Sequence, residues 1–443
     1  MKWAGFLARL RFRHQQLRER LWVKPLIFSL LSLSVVVVAG LADHFGVRPT
    51  AFQVRPESVE TLLSIMASSM LVIATFAVAS MVAAYASAST TASPRTFSLV
   101  IADDVSQQAL STFVGAFIFS IVGLVAAKQD YFGPGGYLVV FLFALAVFAI
   151  VIFTFQHWVD RIARLGRVGE IIDKVENATA EALQRRLESP TLKGATINSL
   201  SATGDTVLAD TVGYLQRVDM LTLQTCAQAS GCRIALAVLP GSFITQGRVL
   251  AYVRSDSRSR FNFDPSKIVK AFVVGKQRTF TEDPRFGLVV LSQIAARALS
   301  PAVNDPGTAI DIIGVIVRLL FPWRQARDPR QSEIFYDRIE VPEISVADMF
   351  DDAFIAIERD GRSAVEVSTR LLKALASLAG LDNQPMRQAA RHHAQRVLNY
   401  AETALTLAED LEALQKLSGF TEEPSEAPSS RTEWFHDNDG RPS

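Results

Sequence analysis

The segment IAARALSPAVNDPGTAIDII, residues 294–313, holds the polar residues that come closest to a chemical site in this sequence. Asn304, Asp305 and Asp311 offer oxygen ligands of the kind that bind a divalent cation, and Arg297 adds a positive charge. The same residues have a structural interpretation, because helix capping and an ion pair account for them without any ligand. The segment therefore allows either a cation site or a rigid helix–loop–helix corner.

Two Asp-Pro pairs predict the helix starts around this segment. Asp283 precedes Pro284 and Asp305 precedes Pro306, which places an acidic cap before a proline at the first helical position, where its missing N–H costs nothing. Ser300 and Pro301 are expected to end the helix that comes before the corner. On this prediction Arg297 and Asp311 face each other across the corner.

Other catalytic and ligand-binding motifs are missing from the sequence. There is no phosphate-binding glycine loop, no GxSxG and no HExxH. Cys226 and Cys232 do not form a CxxC pair, and the adjacent His392 and His393 point to different faces of a helix, which makes a zinc site improbable. A net charge of +1 gives no support for a nucleic-acid partner. We assign no catalytic residue, metal or cofactor. A membrane enzyme therefore ranks third, after the channel and the membrane-anchored sensor or scaffold described below.

The elements that position these residues follow a strongly apolar first third of the chain. Hydrophobic residues make up 49% of the 443 residues, which is too apolar for an ordinary soluble protein, and the excess lies before residue 160. A spanning helix needs about 20 apolar residues. Four segments qualify, residues 25–42, 59–89, 105–127 and 137–157. The predicted fold class is a membrane domain of four transmembrane helices with an α+β cytosolic domain.

Basic residues set the predicted orientation. The first 24 residues contain seven Lys or Arg, and the segment after the fourth span is also rich in arginine, so both termini are expected in the cytoplasm. Within residues 1–24, Trp3, Phe6 and Leu10 recur at helical spacing, which predicts an amphipathic helix on the membrane surface. A cleaved signal sequence is the alternative.

The second span is unusually long and rich in small and hydroxyl side chains. Ser64, Ser68 and Thr75 fall on one stripe of this helix and are the pore-lining candidates, because hydroxyl groups suit permeating ions. Close helix packing by small residues is the alternative. The spans contain no Lys, Arg, Asp or Glu apart from Glu60 at the entry of the second, which argues against a proton-coupled pump.

A short polar motif follows the second span. Pro94 in the sequence Ser93-Pro94-Arg95 is expected to end the long helix, since proline disfavours a helical conformation in the residue before it. Arg95 then lies at the cytosolic membrane boundary, where it holds lipid phosphate or a carboxylate of the soluble region. A plain interfacial anchor is the simpler role.

The soluble part is expected to contain three regions. Residues 161–320 alternate strand and helix patterns and include the helix–loop–helix corner. Residues 321–418 are mainly helical, and residues 419–443 form a polar, proline-containing tail that we expect to be disordered. The complete domain prediction adds the interfacial helix at 1–24 and the membrane domain at 25–160.

Several of these motifs together resemble a known family. Four early spans, SPR after the second, GYLQRVD, and the run GKQRTFTEDPRFGLVVLSQIAARALSPAVNDPGTA are similar to the bacterial predicted membrane proteins called domain of unknown function 2254. The resemblance implies an inner-membrane protein with a cytosolic domain. It brings no assigned catalytic role. Its motif falls on Arg278, Thr279, Asp283, Arg297, Ala298, Leu299, Ser300, Pro301, Asn304, Asp305, Pro306 and Thr308.

Two functions rank ahead of a membrane enzyme. The first is a homo-oligomeric channel or passive pore with a cytosolic regulatory domain, in which Arg297 with Asp305 or Asp311 lies at subunit contacts. The second is a membrane-anchored sensor or scaffold whose cytosolic domain binds a partner or ligand. Membrane lipids and further copies of the chain are the expected partners in the first case.

Overall fold

A computed structural model describes most of the chain, namely residues 23–41, 54–91, 93–96, 99, 104–162, 164, 167–197, 204–255, 263–325 and 333–421. The predicted interfacial helix, apart from residues 23 and 24, and the predicted tail beyond residue 421 lie outside this part. The chain divides into two compact units. The first unit comprises residues 1–182, 197–290 and 334–341, and the second comprises residues 183–196, 291–333 and 342–443.

The apolar part of the first unit forms four long helices. They are α1 (Val23–Leu41), α2 (Pro56–Thr91), α3 (Asp104–Lys128) and α4 (Pro134–Ile162). Each includes the predicted span to within one residue, and three of them extend beyond it at both ends. At 36 residues, α2 is about 54 Å long and exceeds the hydrocarbon layer of about 30 Å.

Helix α3 lies at the centre of the bundle and packs against α1, α2 and α4. Close approach of α1 depends on Gly115, because a Cβ there would lie 3.0 Å from the Cβ of Phe28. The Ser32 hydroxyl donates a hydrogen bond of 3.0 Å to the Gly115 carbonyl oxygen. Small residues and an interhelical hydrogen bond are typical means of packing helices in a membrane.

The outer surface of the bundle is apolar. Leu30, Val72 and Phe153 are 59%, 69% and 74% exposed, and many further Leu, Val, Ile and Phe side chains on these helices point outward. Apolar surface on this scale suits lipid and not water, and the helices satisfy their own backbone hydrogen bonds. The predicted fold class, a helical membrane region followed by a mixed α/β region, is confirmed.

The rest of the first unit contains two β-sheets. The strands and helices of this part and its borders are α5 (Val168–Glu188), β1 (Gly194–Thr196), β2 (Asp205–Leu208), β3 (Gly213–Val218), α6 (Met220–Ser230), β4 (Cys232–Leu236), β5 (Phe243–Ile244), β6 (Val249–Ser255), α7 (Pro265–Val269), β7 (Phe272–Gly275) and β8 (Tyr336–Val341). In the larger sheet β8, β4, β6 and β2 lie side by side in this order, and β5, β3 and β7 form the smaller sheet. All described pairs are antiparallel except β4 with β8, which is parallel with Ile234 opposite Ile339.

The second unit is largely helical. Helix α8 (Pro284–Ala298) begins in the first unit and ends in the second, and α9 (Pro306–Leu320) follows the corner. The remaining helices are α10 (Val346–Asp360), α11 (Val365–Ala379), α12 (Gln384–Ala404) and α13 (Ala408–Leu417). Helix α11 packs against α9 and α12, and α12 also packs against α10. Fully buried Phe350, Leu372 and Ala394 belong to the core of this unit.

Four described helices are long and apolar enough to cross a membrane, and they differ in one member from the predicted spans. Pro56–Ser87, Val105–Lys128 and Pro134–Ile162 agree with the prediction, the apolar part of α1, Pro25–Leu41, is shorter, and Pro306–Arg324 is a further segment. The side chains of α9 argue that it is a core helix. Its apolar residues, including Ile312 and Ile316, are buried within the protein, whereas Asp311 and Arg318 are exposed.

Candidate functional site

The first half of the family motif forms a buried ion pair at the start of α8. The Arg278 guanidinium donates from Nε to Asp283 Oδ2 at 2.6 Å and from Nη2 to Oδ1 at 3.0 Å. Asp283 is 1% exposed, and its Oδ1 also accepts the backbone N–H of Phe286 at 3.2 Å. The carboxylate is therefore both the predicted helix cap and the partner of a bidentate arginine.

The surroundings of this ion pair leave no room for a ligand at the carboxylate. Gly241 has a φ of +96°, and a Cβ there would lie 2.5 to 2.7 Å from the Asp283 carboxylate atoms. The Arg278 guanidinium lies 5.3 Å from the ring centroid of Phe286, which in turn packs 4.7 Å from Phe280. Arg278 and the backbone N–H of Phe286 already bond to the two carboxylate oxygens of Asp283. The ion pair therefore holds the turn at Gly241 and the loop at Arg278 against the start of α8.

The second half of the motif forms the corner between α8 and α9. The Ser300 hydroxyl donates to the Arg297 carbonyl oxygen at 2.6 Å, and the Ser300 carbonyl oxygen accepts the backbone N–H of Asn304 at 2.8 Å. The backbone N–H of Asp305 then donates to the Ala298 carbonyl oxygen at 2.8 Å. Asn304 has a φ of +48°, a left-handed conformation that asparagine tolerates better than most residues. These bonds hold the corner in one conformation.

Asp305 caps α9 as predicted. Its Oδ1 accepts the backbone N–H of Thr308 at 3.0 Å, its Oδ2 accepts the Thr308 hydroxyl at 2.6 Å, and Pro306 lies in the first turn. The hydrogen bond from the Thr308 hydroxyl, then that from its backbone N–H, lowers the pKa of Asp305 below its usual value. The carboxylate thus has a complete structural role in an exposed position.

Arg297 and Asp311 are brought to the same region of the chain but do not pair. Both are exposed, and neither forms an ion pair with any residue in the described part of the chain. Pro301 and the neighbouring residues 302–305 are exposed as well, with Val303 at 51%. The predicted contact across the corner is therefore absent here, and the corner presents unpaired charge and apolar surface to its surroundings.

The two halves of the motif do not form one site. Arg278 and Asp283 lie at the N-terminal end of α8, and Ser300, Asn304 and Asp305 lie beyond its C-terminal end, with 15 helical residues or about 22 Å between. Among the described residues, no group of three or more His, Cys, Asp or Glu side chains is arranged to hold a metal ion. The N-terminal end of α8 is therefore fixed by a buried ion pair, and the corner beyond its C-terminal end is exposed and charged.

The pore-lining candidates lie together on the outward face of α2. Ser64, Ser68 and Thr75 are all exposed, whereas Leu63, Met66, Met70 and Ala77 are buried against the other membrane helices. The Ser68 hydroxyl donates to the Ser64 carbonyl oxygen at 3.0 Å, and the Thr75 hydroxyl donates to the Leu71 carbonyl oxygen at 2.8 Å. The stripe therefore faces away from the bundle of its own chain.

The membrane-boundary motif forms a 3-10 turn, Pro94–Thr96, after α2. Ser93 is buried, and its hydroxyl accepts the backbone N–H of Arg95 at 3.3 Å. The Thr96 hydroxyl donates to the Ser93 carbonyl oxygen at 2.7 Å. Arg95 is exposed, and its guanidinium contacts no acidic side chain in the described part of the chain.

A buried charge cluster in the second unit was missed by the sequence reasoning. The Glu358 carboxylate of α10 contacts His393 Nδ1 and accepts Arg396 Nε at 2.8 Å, and His393 Nε2 lies 3.4 Å from Asp351 Oδ1. His393 is 1% exposed and packs against Phe350 and Phe354. The sequence contained only a weak indication of this cluster. Asp351 and Glu358 are seven residues apart, and His393 and Arg396 three, so each pair shares one face of its helix.

Comparison with known proteins agrees with the architecture. The chain is 26% identical over 392 residues to uncharacterised proteins of Mycobacterium bovis and Mycobacterium tuberculosis, which covers 84% of this chain and 74% of each relative. No solved structure matches it. The model of a predicted membrane protein family, domain of unknown function 2254, matches residues 18–377. With more than half of its length matched, and with the membrane helices and motif described above, the chain belongs to this family.

Proposed function

We propose that the protein is a homo-oligomeric, channel-like membrane protein in which the outward face of α2 meets other copies and lines a passive pore. One observation carries the proposal. Ser64, Ser68 and Thr75 lie on a single exposed face of the longest membrane helix, on the side opposite to its buried residues. In a lone subunit this hydroxyl face would be in lipid, whereas in a symmetric ring it would surround the axis.

The chemistry of this face suits a passive pathway. Within α2 the acidic residues are Glu57 and Glu60, both near its first turn, and the 31 residues that follow Glu60 include no Lys, Arg, Asp or Glu. A hydroxyl that donates to its own helix still has oxygen lone pairs that accept from water or contact a cation. Buried carboxylates, the usual elements of proton coupling, are absent from this helix face.

The alternative is a membrane-anchored sensor or scaffold whose soluble region binds a partner. The observation in its favour is that the Ser68 and Thr75 hydroxyls donate to carbonyl oxygens one turn earlier. Since their hydrogen-bond donors are satisfied within the helix, the face is stable in contact with lipid. In that case the bundle only anchors the protein.

The proposal includes location and organisation. The protein lies in a bacterial inner membrane with both termini in the cytoplasm, and Arg95 contacts lipid head groups at the cytoplasmic boundary. The regulatory domain begins at about residue 161, with an α/β region to about residue 320 and a helical region to about residue 418. Membrane lipids and further copies of the chain are its partners, and we propose no nucleic-acid partner or cofactor.

Single-channel recording from purified protein in planar bilayers tests the proposal. In a background with Cys226→Ser and Cys232→Ala, a charged thiol reagent should reduce the current of Ser68→Cys. Ala67→Cys is the matched control, because Ala67 is the adjacent residue and is 5% exposed on the buried face. Protein that reconstitutes fully and never passes ions would refute the channel and leave the anchored scaffold.

A further inference from the structure

Three arginines lie side by side across the larger sheet of the first unit. Arg233 of β4 is the register partner of Arg254 of β6, so the two side chains leave the same face of the sheet. In the parallel pair of β4 and β8, Ile234 lies opposite Ile339, which places Arg338 next to Arg233 on this face. We call Arg338, Arg233 and Arg254 the arginine row. It crosses three neighbouring strands and is about 10 Å long, because strands lie about 4.8 Å apart.

The arginine row is on the side of the sheet that faces away from its core. Fully buried Ile234, Val253 and Ile339 belong to the opposite face. Helix α6 packs against β4 and β8 on that opposite face, where Gln224 donates to Asp337 Oδ1 at 2.6 Å. All three guanidinium-bearing side chains of the row are half-buried. The row is therefore separated from α6 by the sheet itself.

Two bonds to backbone orient the row. Arg233 Nη1 donates to the Asp337 carbonyl oxygen at 3.2 Å, and Arg338 Nη1 donates to the Cys232 carbonyl oxygen at 3.4 Å. Each arginine thus reaches across to the neighbouring strand. A carbonyl oxygen has no net charge, so these bonds orient the guanidinium groups without neutralising them.

A buried carboxylate lies beside one end of the row. Glu340 is the register partner of Ala235, its side chain is 3% exposed, and its Oε1 accepts Arg254 Nη2 at 3.2 Å. Together the row and Glu340 carry a formal charge of +2, from three arginines and one glutamate. Like charges directly opposite each other in a sheet are destabilising. An anion against the arginine row would remove this repulsion.

We propose that the arginine row binds a small soluble anion that carries two neighbouring phosphate groups. A guanidinium forms two parallel hydrogen bonds to phosphate oxygens, and three guanidiniums about 5 Å apart match two adjacent phosphates in charge and length. A soluble anion fits better than a membrane surface, because the Arg254 side chain is 28% exposed, whereas a lipid-binding surface projects its basic side chains. The site goes beyond the proposed function, and binding is independent of current through a pore.

Calorimetry with inorganic pyrophosphate tests the site in the full-length protein, held in phosphatidylcholine nanodiscs at constant ionic strength. Arg233→Gln and Arg338→Gln should each weaken binding about 10–100-fold, because each removes a charged hydrogen-bond donor. Arg248→Gln is the matched control, since Arg248 is an exposed arginine in the turn before β6 and outside the row. No binding by the parent protein, or equal weakening in the control, would overturn the proposal.

Thermal unfolding separates binding from a purely structural role of the row. Arg233 has a like charge on either side, so Arg233→Gln should keep the melting temperature that the parent protein has without pyrophosphate. Pyrophosphate should raise the melting temperature of the parent protein more than that of the variant. A lower melting temperature in the variant, with an unchanged response to pyrophosphate, would show that the arginines only cover the sheet and would refute the site.

Labelling of arginine with phenylglyoxal, read by mass spectrometry, needs no variant. Pyrophosphate should protect the arginine row of the parent protein in phosphatidylcholine nanodiscs and should leave Arg248 unprotected. A row that is not protected, or that stays unlabelled even without pyrophosphate, refutes the site. Nanodiscs with phosphatidylglycerol and no pyrophosphate distinguish the source of the phosphate. Protection of the row there would assign it to lipid head groups and refute a soluble ligand.

Discussion

Replacing Glu358 with alanine is expected to destabilise the contact between α10 and α12 by about 3–5 kcal/mol. The Glu358 side chain is fully buried and compensates Arg396, whose Nε donates at 2.8 Å, as well as His393. Asp351 remains for His393, but at 3.4 Å and half-exposed it is a weak substitute. The variant leaves an arginine and a buried imidazole without their carboxylate, and this desolvation cost sets the magnitude.

Arg359, the next residue of the same helix, provides a control with nearly the same hydrogen-bond lengths. Arg359 donates to Asp360 at 2.7 and 2.8 Å, and its side chain is 54% exposed. Water screens this pair, so Arg359→Ala should cost at most about 1 kcal/mol. Because the hydrogen-bond lengths are alike, a difference between the two variants reports burial and not bond geometry.

Native-state hydrogen exchange of the full-length protein measures the effect, read from peptides that cover 346–360 and 384–404. Glu358→Gln should fall between the two variants, because one amide oxygen still accepts from Arg396 while the charge is lost, at about 1–3 kcal/mol. Combining Glu358→Ala with Arg396→Ala should cost less than the sum of the single changes. Exchange in Glu358→Ala no faster than in Arg359→Ala would refute the reasoning.

Three further outcomes follow from single contacts. Gly241→Ala should lower the melting temperature more than Gly247→Ala, because both glycines have positive φ, at a strain of about 1–2 kcal/mol, but only at Gly241 does the added Cβ meet the Asp283 carboxylate. Asp305→Ala should cost about 1 kcal/mol. Folding lowers the pKa of Asp305, so the stabilisation that its carboxylate provides is present above the unfolded pKa of about 3.9 and is lost as the pH falls through the lower folded pKa. Chemical denaturation across this pH range measures the loss, and Asp305→Asn is the pH-independent control. The buried Trp158 Nε1 has no hydrogen-bond acceptor among the described residues, so Trp158→Phe should leave thermal stability unchanged or slightly higher, whereas Trp158→Ala should cost about 3–5 kcal/mol.

Features encoded within a few residues were predictable from the sequence. The caps at Asp283 and Asp305 follow from Asp-Pro pairs, since an acidic side chain reaches the N–H groups of the next turn and proline fixes the first helical φ. The membrane helices follow from long uncharged runs. The Arg278–Asp283 pair spans five residues and was identified as part of the motif, but not as an ion pair.

Features that depend on distant segments were not predictable from local spacing. The burial of His393 against Glu358 joins residues 35 apart on two helices, and spacing alone gives no information on how those helices pack. Arg297 and Asp311 show the opposite case. Their spacing around the corner suggested a contact. The backbone hydrogen bond between Asp305 and Ala298 fixes the directions of both helices, however, and in these directions the two side chains do not meet.

Helix α9 shows why composition alone does not separate a core helix from a membrane span. Both need an apolar helix, and Pro306–Arg324 is long and apolar enough to cross a membrane, whereas the 17-residue apolar segment Pro25–Leu41 is shorter. The difference lies in where polarity falls around the helix. Lipid surrounds a span, so α1 exposes Leu30, Leu31 and Val38. Helix α9 instead buries its apolar face and exposes Asp311 and Arg318, which is the pattern of an amphipathic core helix.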